Sequence, residues 1–408
     1  MSHFVIVGGG ECGGRAAFAL REKGFGGAIT LVAGEPFAPY ERPPLSKEGL
    51  LEAREPKFIA APERYRESDI VLLTGATATA IDPAARSVTL SDGQSLAYDK
   101  LLLATGARPR AFPGVARADG RIRVLRTHAD ASALRPMMAP GRHVVIVGGG
   151  FIGLELAASA RKLGASVTVI EGLERVLKRG VPEEIAAIVA ERHREEGVDL
   201  RCGQVIAALE EDAGQARIRL GSGEAIDADL VVVGIGAVPN TALAEAAGLA
   251  VENGIAVNAH LETSAPDIYA AGDCCSFPHA LYGGRRIRLE AWRNAQEQGQ
   301  LAAANMLGEG RQISAVPWFW SDQYDMTLQI AGLGDGAATT LRRDLGDGAF
   351  LLFHLDEAGR LIAASGIGRG NVVARDIRLS EMLIAARACP PPEALTASGV
   401  KLKSLLAA

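Results

Sequence analysis

The sequence predicts an α/β fold in which two domains share one design and a smaller α+β domain follows them. The first indication is a duplicated motif: the apolar runs at residues 4–7 and 144–147 each lead into a G-x-G-x-x-G turn that opens a helix. The second is the length of 408 residues, which exceeds what one hydrophobic core usually supports. The third is a change of pattern from residue 317 onward, where aromatic and β-branched positions alternate as in antiparallel strands. Because a strand, glycine turn and helix in this order are typical of a Rossmann-like half, two such domains are expected.

The elements of the first unit follow from apolar runs separated by turn residues. The chain after the glycine turn predicts a helix and a strand, and a proline-rich loop then leads to a second helix. Three short alternating runs predict a small β-meander, and a buried strand ends in Thr105-Gly106. In chain order these elements are the helix at about 15–23, the strand 29–32, the loop 36–44, the helix 63–67, the meander runs 76–81, 87–90 and 95–98, and the strand 100–104.

The second unit repeats this order after a proline-containing stretch at residues 109–113, which indicates a domain crossing. Its buried closing strand ends in Gly234-Ile235-Gly236. Residues 243–310 predict neither a third Rossmann-like unit nor a linker, and the chain from residue 317 predicts antiparallel strands with a terminal helix or two. The predicted elements are a helix at 154–163, a strand at 166–170, a helix at 183–196, an antiparallel set over 199–226, a strand at 230–233 and a helix at 291–306.

Composition narrows the classes of function. The chain is 48% hydrophobic and 22% charged, as in ordinary globular proteins. Its net charge of −5 argues against nucleic acid as a partner. The sequence has no apolar run of roughly 18–20 residues, and a strand begins within four residues of the start, so neither a membrane span nor a signal peptide is expected. Five cysteines at irregular spacing, with no C-x-x-C, favour a cytoplasmic location with reduced thiols.

The glycine turns carry the first functional prediction. In the first copy Gly8 allows a tight turn, Gly10 lets the backbone approach a pyrophosphate, and Gly13 lets the helix pack closely on its strand. The helix N-terminus then offers free N–H groups to phosphates. The second copy supplies the same positions, with Gly148, Gly150 and Gly153. A glycine-rich turn without a ligand is the alternative, but two fingerprints in one chain favour two dinucleotides, which suffice to pass electrons from one cofactor to another.

An acidic residue after the second strand of such a unit accepts hydrogen bonds from ribose hydroxyls. In the second unit this residue is Glu171, whose charge repels a 2′-phosphate and therefore favours NADH over NADPH. Three nearby cations, Arg175, Lys178 and Arg179, oppose that preference. In the first unit Glu35 comes one or two places late, so it is either a ribose ligand or a solvated loop carboxylate.

Cysteine placement excludes one kind of flavin chemistry. Flavoproteins that reduce disulfides need a cysteine pair beside the isoalloxazine ring. The segment after the first unit reads E-R-P-P-L-S-K and contains no cysteine, and Cys12 lies in the phosphate turn. Cys274 and Cys275 are neighbours and cannot form an unstrained disulfide. Electrons are therefore expected to leave directly for an external acceptor.

Several motifs across almost the whole chain now point to one family. They are Y-E-R-P-P-L-S-K at 40–47, A-T-G at 104–106, L-R-T at 125–127, G-L-E-L-A at 153–157, Y-A-A-G-D at 269–273, E-A-W-R-N-A at 290–295 and P-W-F-W-S-D-Q-Y at 317–324. With these motifs in the family's order, the chain resembles the FAD-dependent NADH:ferredoxin reductases of the putidaredoxin reductase type. This family includes the reductase components of aromatic-ring dioxygenases. The last two motifs are specific to this subgroup.

The resemblance implies a fold laid out like glutathione reductase, with nested FAD and NAD domains. The FAD domain would comprise residues 1–108 and 243–316, the NAD domain residues 109–242, and the C-terminal α+β domain residues 317–408. The implied activity moves electrons from NADH through FAD to a [2Fe–2S] ferredoxin that feeds a Rieske dioxygenase or a cytochrome P450. An NADH oxidase or a redox-responsive flavoprotein on the same scaffold is the alternative.

The resemblance also implies residue roles. Asp273 would bind the FAD ribityl chain, and Arg42, Lys47 and Arg126 would contact FAD. Three residues would be catalytic: Lys47 near the reactive edge of the flavin, Glu155 beside the nicotinamide, and Trp320 over the isoalloxazine environment. The other implied cofactor contacts are Cys12, Ala78, Thr105, Gly106 and Trp292 for FAD, and Ile152, Arg179 and Gly236 for NAD. The family's acidic ribose residue usually stands where this chain has Gly34, which leaves Glu35 as the substitute.

Simpler explanations stand beside these roles. The aromatic run at 318–320 is also typical of a core, Glu155 could complement a helix dipole, and Lys47 could be solvated. A basic cluster next to the flavin-binding segment is either a hydrated face or a docking patch for an acidic ferredoxin. Its members are Arg285, Arg286, Arg288 and Arg293.

Overall fold

A computed structural model describes residues 2–115, 120–212 and 214–406 of the chain. It divides the chain into two compact units. The first unit consists of Met1–Arg42, Pro56–Arg108 and Val238–Ala315. The second consists of Pro43–Glu55, Pro109–Ala237 and Val316–Ala408, so the short segment Pro43–Glu55 lies with the later part of the chain. None of the described helices is both long enough and apolar enough to cross a lipid bilayer.

The first unit is built on a five-stranded parallel sheet. Its strands are apolar along most of their length because helices cover such sheets on both faces; His3–Val7, for example, has four buried residues of five. The strand order across the sheet is Ile268–Ala270, Lys100–Leu103, His3–Val7, Ala28–Ala33 and Ile70–Thr74. The helices of this unit are Glu11–Glu22, Pro62–Glu67, Ala242–Ala246 and Trp292–Met306.

Two smaller sheets complete the first unit. The predicted β-meander is an antiparallel sheet of Ala78–Asp82, Ser87–Leu90 and Ser95–Ala97. A second three-stranded sheet contains Ile255–Ala256, Cys275–His279 and Arg285–Ile287. The predicted start of the first helix at residue 15 is late, because the helix begins at Glu11, directly after the glycine turn. Gly13 and Gly14, which are poor helix formers, lie inside it.

The second unit repeats the parallel sheet. Its strand order is Val198–Arg201, Ser166–Ile170, His143–Val147, Leu230–Val233 and Ile122–Arg123. Its helices outside the C-terminal region are Glu48–Glu52, His128–Leu134, Phe151–Lys162 and Glu183–Glu195. The strand predicted at 166–170 has the bounds that the structure gives it.

One prediction for the second unit is wrong at its edge. The antiparallel sheet consists of Ile206–Glu211, Ala216–Leu220 and Ala225–Ala228, and does not include residues 199–201. Those residues belong to Val198–Arg201, which pairs parallel with Ser166–Ile170. The cause is the helix Glu183–Glu195 between these two strands, because a helical crossover returns the chain in the same direction.

The C-terminal part of the second unit is a five-stranded antiparallel sheet with helices beside it. The strand order is Trp318–Gln323, Met326–Gly332, Leu361–Arg369, Ala349–Leu355 and Thr339–Gly346, and the helices are Ala374–Ala385 and Pro392–Thr396. The two α/β sheets and this α+β region confirm the predicted fold class.

The remaining elements are short. Ala107–Pro109 and Ala237–Pro239 are strands, and each contains one of the points at which the chain passes between units. The 3₁₀ turns are Pro43–Ser46, Arg135–Met137, Gly272–Cys274, Ala280–Tyr282 and Leu402–Leu406.

Candidate functional site

The glycine turn of the first unit leaves space at one position only among its three fingerprint glycines. A Cβ on Gly8 would lie 2.0 Å from the Ala104 carbonyl oxygen, and one on Gly13 would lie 1.9 Å from the Gly8 oxygen. Gly8 also has φ +128°, which side chains rarely adopt. A Cβ on Gly10 would meet nothing within 4 Å. The open position and the first N–H groups of the helix Glu11–Glu22 form a cradle that fits a pyrophosphate.

The glycine turn of the second unit has the same geometry. Gly148 has φ +110°, and a Cβ there would lie 2.4 Å from the Gly234 oxygen. A Cβ on Gly153 would lie 2.1 Å from the Gly148 oxygen, whereas Gly150 has open space. Ile152, in the first turn of the helix, is 50% exposed. A large apolar side chain exposed beside a phosphate cradle suits contact with a dinucleotide.

The acidic residues near the two turns differ in their partners. Glu171 accepts hydrogen bonds from the backbone N–H groups of Gly149 at 2.6 Å and Leu173 at 2.8 Å. Its carboxylate is therefore fixed against the glycine turn. Strand register places Ala33 at the equivalent position in the first unit, since Val32 pairs with Val7 as Ile170 pairs with Val147.

Glu35 has side-chain partners within its own unit. Its Oε1 lies 2.6 Å from the Arg42 guanidinium, and its Oε2 accepts a hydrogen bond from the Tyr40 hydroxyl at 2.5 Å. The Arg42 guanidinium also lies 5.1 Å from the centre of the Tyr40 ring. The carboxylate therefore orients Arg42 while staying partly exposed, and its role as a ribose ligand stays a prediction.

The cations near Glu171 have local partners as well. Arg175 donates to the carbonyl oxygens of Val176 and Val181, at 3.2 and 3.1 Å. Lys178 forms an ion pair with Glu174. Arg179 is exposed. Arg175 and Lys178 are therefore engaged locally, and a nucleotide contact of the exposed Arg179 stays a prediction.

The sequence-predicted FAD contacts of the first unit lie in several places. Cys12 and the turn Gly272–Cys274, which contains Asp273, lie together, because a Cβ on Gly272 would be 3.1 Å from the Cys12 Cβ. Thr105 donates from Oγ1 to the Asn240 carbonyl at 2.7 Å, and Asn240 donates back to Thr105 at 2.9 Å. Gly106 accepts from the Asn240 N–H and has φ +67°. Ala78 begins a meander strand and Trp292 begins the helix Trp292–Met306; both are half-buried.

In the second unit, Glu155 lies in a buried polar pocket. The residue is 7% exposed. Its Oε2 accepts from the Ser46 hydroxyl at 2.5 Å, and its Oε1 accepts from the Ser321 hydroxyl at 2.6 Å. Lys47 Nζ lies 3.3 Å from Oε1. Burial raises the pKa of the Glu155 carboxyl, while the Lys47 charge and the serine hydroxyls oppose that rise.

Lys47 contacts both Glu155 and the aromatic residues at 318–320. Its ammonium group lies 5.2 Å from the centre of the Trp320 ring and 3.9 Å from Asp322. The Trp320 indole N–H donates to Asp322 at 2.9 Å, and Trp318 stacks on Trp320 with 5.3 Å between ring centres. The three predicted catalytic residues, Lys47, Glu155 and Trp320, therefore form one cluster within the second unit.

The remaining predicted positions lie elsewhere. Arg126 is half-buried just before the helix His128–Leu134, and its backbone N–H donates to Asp130 at 2.9 Å. Gly236 has φ +104°, open space at its Cβ position, and a carbonyl that accepts from the Arg110 N–H. Arg42 belongs to the first unit and Lys47 to the second.

All four arginines of the basic cluster make contacts within their own unit. Arg286 donates to the carbonyl oxygens of Val257 and Ser276, and Arg288 pairs with Glu290 at 2.5 Å. Arg293 pairs with Glu297 at 2.9 Å. Arg285 is exposed, with its guanidinium 5.8 Å from the centre of the Tyr282 ring. A docking role stays a prediction, and Arg285 is the exposed member of the cluster.

Comparison with known proteins places this geometry in a family. Residues 2–299 match the family model described as pyridine nucleotide-disulphide oxidoreductase, and residues 318–406 match the one described as reductase C-terminal. The chain belongs to the pyridine nucleotide-disulphide oxidoreductase family. Its predicted kinship with the FAD-dependent NADH:ferredoxin reductases is confirmed by relatives along its full length.

Two curated relatives and one solved structure illustrate that kinship. The chain is 42% identical to the anthranilate 1,2-dioxygenase system ferredoxin–NAD(+) reductase component of Burkholderia cepacia, over 99% of each chain. It is 39% identical to putidaredoxin reductase CamA of Pseudomonas putida, over 99% of this chain and 96% of that one. It matches the crystal structure of the covalent putidaredoxin reductase–putidaredoxin complex with a TM-score of 0.94 and 38% identity, over 100% of this chain and 98% of that chain.

The sequence did not reveal several polar partners in these sites. Ser46 and Ser321 stand beside predicted residues in the sequence, yet nothing marked their hydroxyls as ligands of Glu155. Gln298 accepts from the Gly272 N–H at 2.7 Å and so holds the turn that carries Asp273. Its only sequence signal is a polar residue on the buried side of a helix.

Proposed function

We propose that this chain is the reductase component of a multi-component oxygenase system, and passes electrons from NADH through FAD to a [2Fe–2S] ferredoxin. The observation that carries the proposal is the matched pair of glycine turns in one chain, because a donor and an acceptor dinucleotide each need one. The full-length similarity to ferredoxin–NAD(+) reductases supports the choice of acceptor. Bound FAD would supply the conversion of a two-electron donor into single-electron steps.

The first unit is proposed to hold FAD through backbone groups and a small set of side chains. Gly8, Gly10 and Gly13 leave the helix N-terminus open to the pyrophosphate. Arg42, oriented by Glu35, is the proposed cationic contact. The further proposed contacts within this unit are Cys12, Ala78, Thr105, Gly106, Asp273 and Trp292, while the roles of Lys47 and Arg126 stay predictions. We retain residues 1–108 and 243–316 as the FAD domain, 109–242 as the NAD domain and 317–408 as the C-terminal domain.

The second unit is proposed to bind NADH. Gly148, Gly150 and Gly153 repeat the phosphate cradle, and Ile152 offers an apolar contact beside it. Glu171 is held by two backbone N–H groups, so its charge is fixed where a 2′-phosphate would be repelled. This arrangement supports a preference for NADH, and Arg179 and Gly236 complete the proposed contacts.

The Lys47, Glu155 and Trp320 cluster is proposed to be catalytic through positioning and charge. Lys47 presents a cation that stabilises negative charge developing on a nearby group. Glu155 fixes the position of that cation, and the Trp320 ring covers it. None of these roles needs a covalent nucleophile, so the chain's contribution is orientation and electrostatics.

The experiment is a reconstitution with separate acceptors. The purified chain should carry flavin absorbance, and with NADH it should reduce cytochrome c only when a [2Fe–2S] ferredoxin from a panel is added. Ferricyanide reduction without ferredoxin is the control for flavin reduction. Loss of NADH matched by peroxide formation, with every ferredoxin left oxidised, would favour an NADH oxidase and overturn the proposal.

We also propose a cytoplasmic location. All five cysteines are free thiols, and Cys12, Cys274 and Cys275 are buried. Such thiols suit a reducing compartment, where NADH is also found. Cell fractionation tests this, and recovery with periplasmic markers would contradict it.

A further inference from the structure

A row of buried polar side chains leads away from Glu155 within the second unit. Ser321 Oγ lies 2.6 Å from Glu155 Oε1, and Gln323 Nε2 lies 3.1 Å from Ser321 Oγ. Gln323 Oε1 lies 2.8 Å from His193 Nε2, and His193 Nδ1 lies 3.3 Å from the Tyr324 hydroxyl. Ser321, Gln323 and His193 are 1%, 4% and 0% exposed.

The donors in this row run in one direction, toward Glu155. An ionised carboxylate only accepts, so Ser321 donates its single proton to Glu155 and must accept from Gln323. That fixes the Gln323 amide with its oxygen toward His193, which must then carry its proton on Nε2. His193 Nδ1 is left as the acceptor for Tyr324. Burial lowers the pKa of His193, which agrees with a neutral ring in one tautomer.

The far end of the row is held in a strained turn. Tyr324 has φ +57°, in the hairpin between Trp318–Gln323 and Met326–Gly332. A bulky residue adopts that conformation only when its surroundings enforce it. Here the His193 ring lies edge-on at 5.0 Å between ring centres, and the Arg192 guanidinium lies 5.1 Å from the Tyr324 ring centre. The helix Glu183–Glu195 therefore positions this hairpin.

We propose that Gln323 and His193 are positioning residues for Glu155. The row from Tyr324 orients the Ser321 hydroxyl so that it donates its hydrogen bond to Glu155 Oε1, and this fixes the carboxylate that holds Lys47. This inference rests on the proposed function, in which the Lys47 and Glu155 pair is catalytic. Neither Gln323 nor His193 contacts Glu155 directly, so each acts through Ser321.

The charges around Glu155 determine what loss of the Ser321 hydrogen bond would change. Lys47 is the cation beside it, and Asp322, 3.9 Å from Lys47, competes for the same ammonium group. Loss of the Ser321 donor would remove a hydrogen bond to the charged form, which raises the pKa of Glu155 further. At a given acidic pH more Glu155 would then be protonated, and Lys47 would be held by Asp322 instead.

The first test reads the tautomer of His193 in the flavin-loaded protein. Long-range ¹H–¹⁵N correlation with ¹⁵N-labelled histidine, assigned by the H193F variant, should show His193 protonated on Nε2 near neutral pH. A ring protonated on Nδ1, or on both nitrogens, would overturn the proposal. This measurement needs no acceptor, so it stands even if ferredoxin reduction fails and the proposed function with it.

The second test compares H193F and Q323M with a matched control. His354 is 7% exposed and bonds to Thr340 at 3.2 Å and Ser365 at 3.1 Å, in the same unit but outside the row. H193F and Q323M should lower kcat for NADH-dependent ferricyanide reduction by about fivefold, the effect of one misplaced hydrogen bond, with little change in KM. They should also move the acidic limb of the pH profile upward by about 0.5–1 unit.

The control decides between positioning and simple destabilisation. H354F should lower the melting temperature to a similar degree while leaving kcat and the acidic limb unchanged. Equal kinetic effects in H354F and H193F, or an unshifted acidic limb in Q323M, would contradict the proposal. S321A should reproduce the shift, and S321T, which keeps the hydroxyl, should restore most of the wild-type profile.

Discussion

The two glycine turns share one backbone and differ in the side chain beside it. In each, a Cβ on the first or last fingerprint glycine would lie within 2.4 Å of a carbonyl oxygen, and the middle fingerprint glycine has open space. The acidic partner differs: Glu171 bonds to the turn itself, whereas Ala33 stands at that position in the first unit. The backbone geometry of the two turns is thus the same, and we propose that the choice of nucleotide depends on the one side chain that differs.

Packing explains part of this difference. A Cβ on Gly9 would lie 2.3 Å from the Ala33 Cβ, while one on Gly149 would lie 3.2 Å from the Glu171 Cβ. The first glycine turn lies closer to the end of the strand Ala28–Ala33 than the second turn lies to Glu171. This short distance leaves room only for a small side chain at position 33. The carboxylate of the first unit comes instead from Glu35, which orients Arg42 rather than the turn.

The largest effect is expected where the two turns agree. Gly13→Ala and Gly153→Ala should each destabilise the protein by about 3 kcal/mol, since backbone oxygens occupy the space of the new methyl group. Gly10→Ala and Gly150→Ala should change the free energy of unfolding little and weaken cofactor binding instead. Urea unfolding with and without added cofactor measures both. Equal destabilisation at open and closed positions would break the comparison.

The next effect separates the two carboxylates. Glu171→Arg should shift the ratio of kcat/KM for NADH over NADPH by at least about tenfold toward NADPH, because repulsion of the 2′-phosphate becomes attraction. Glu35→Arg is the matched control, and should leave that ratio unchanged. If Glu171→Arg leaves selectivity as it is, Glu171 does not face the ribose.

A smaller effect is expected from Glu35→Gln. The variant keeps the size of the side chain but removes the charge that pairs with Arg42. FAD should therefore dissociate about fivefold more readily, which corresponds to the loss of about one charge-assisted hydrogen bond. Flavin retained after dialysis gives the measurement, and the NADH/NADPH ratio should not move. Unchanged flavin affinity would mean that Arg42 is held without Glu35.

The smallest effect concerns the basic cluster. Arg285→Glu should slow ferredoxin reduction by a few-fold at low salt, and the difference should shrink as ionic strength rises. Arg286→Glu would instead disturb the fold, because Arg286 bonds to two carbonyl groups. Ferricyanide reduction should stay normal in the Arg285 variant. A loss that is equal with both acceptors would make Arg285 structural.

The sequence predicted the repeated secondary structure of the two α/β sheets, but it did not predict contacts between residues far apart in the chain. Glycine spacing and apolar runs predicted both sheets, and the strand Ser166–Ile170 matched at both ends. The partners of Glu155 lie 109 and 166 residues away, at Ser46 and Ser321, and no local pattern encodes such a contact. The strand Val198–Arg201 was misassigned because a short alternating run does not specify the strand that it joins.

The most direct test of electron transfer from NADH to ferredoxin is an anaerobic stoichiometry. The flavin-loaded protein is mixed with limiting NADH and excess [2Fe–2S] ferredoxin, and bleaching of the ferredoxin is followed to completion. We predict about two ferredoxins reduced for each NADH consumed, since a hydride carries two electrons and each ferredoxin takes one. Complete oxidation of NADH while the ferredoxin keeps its oxidised spectrum would contradict the account.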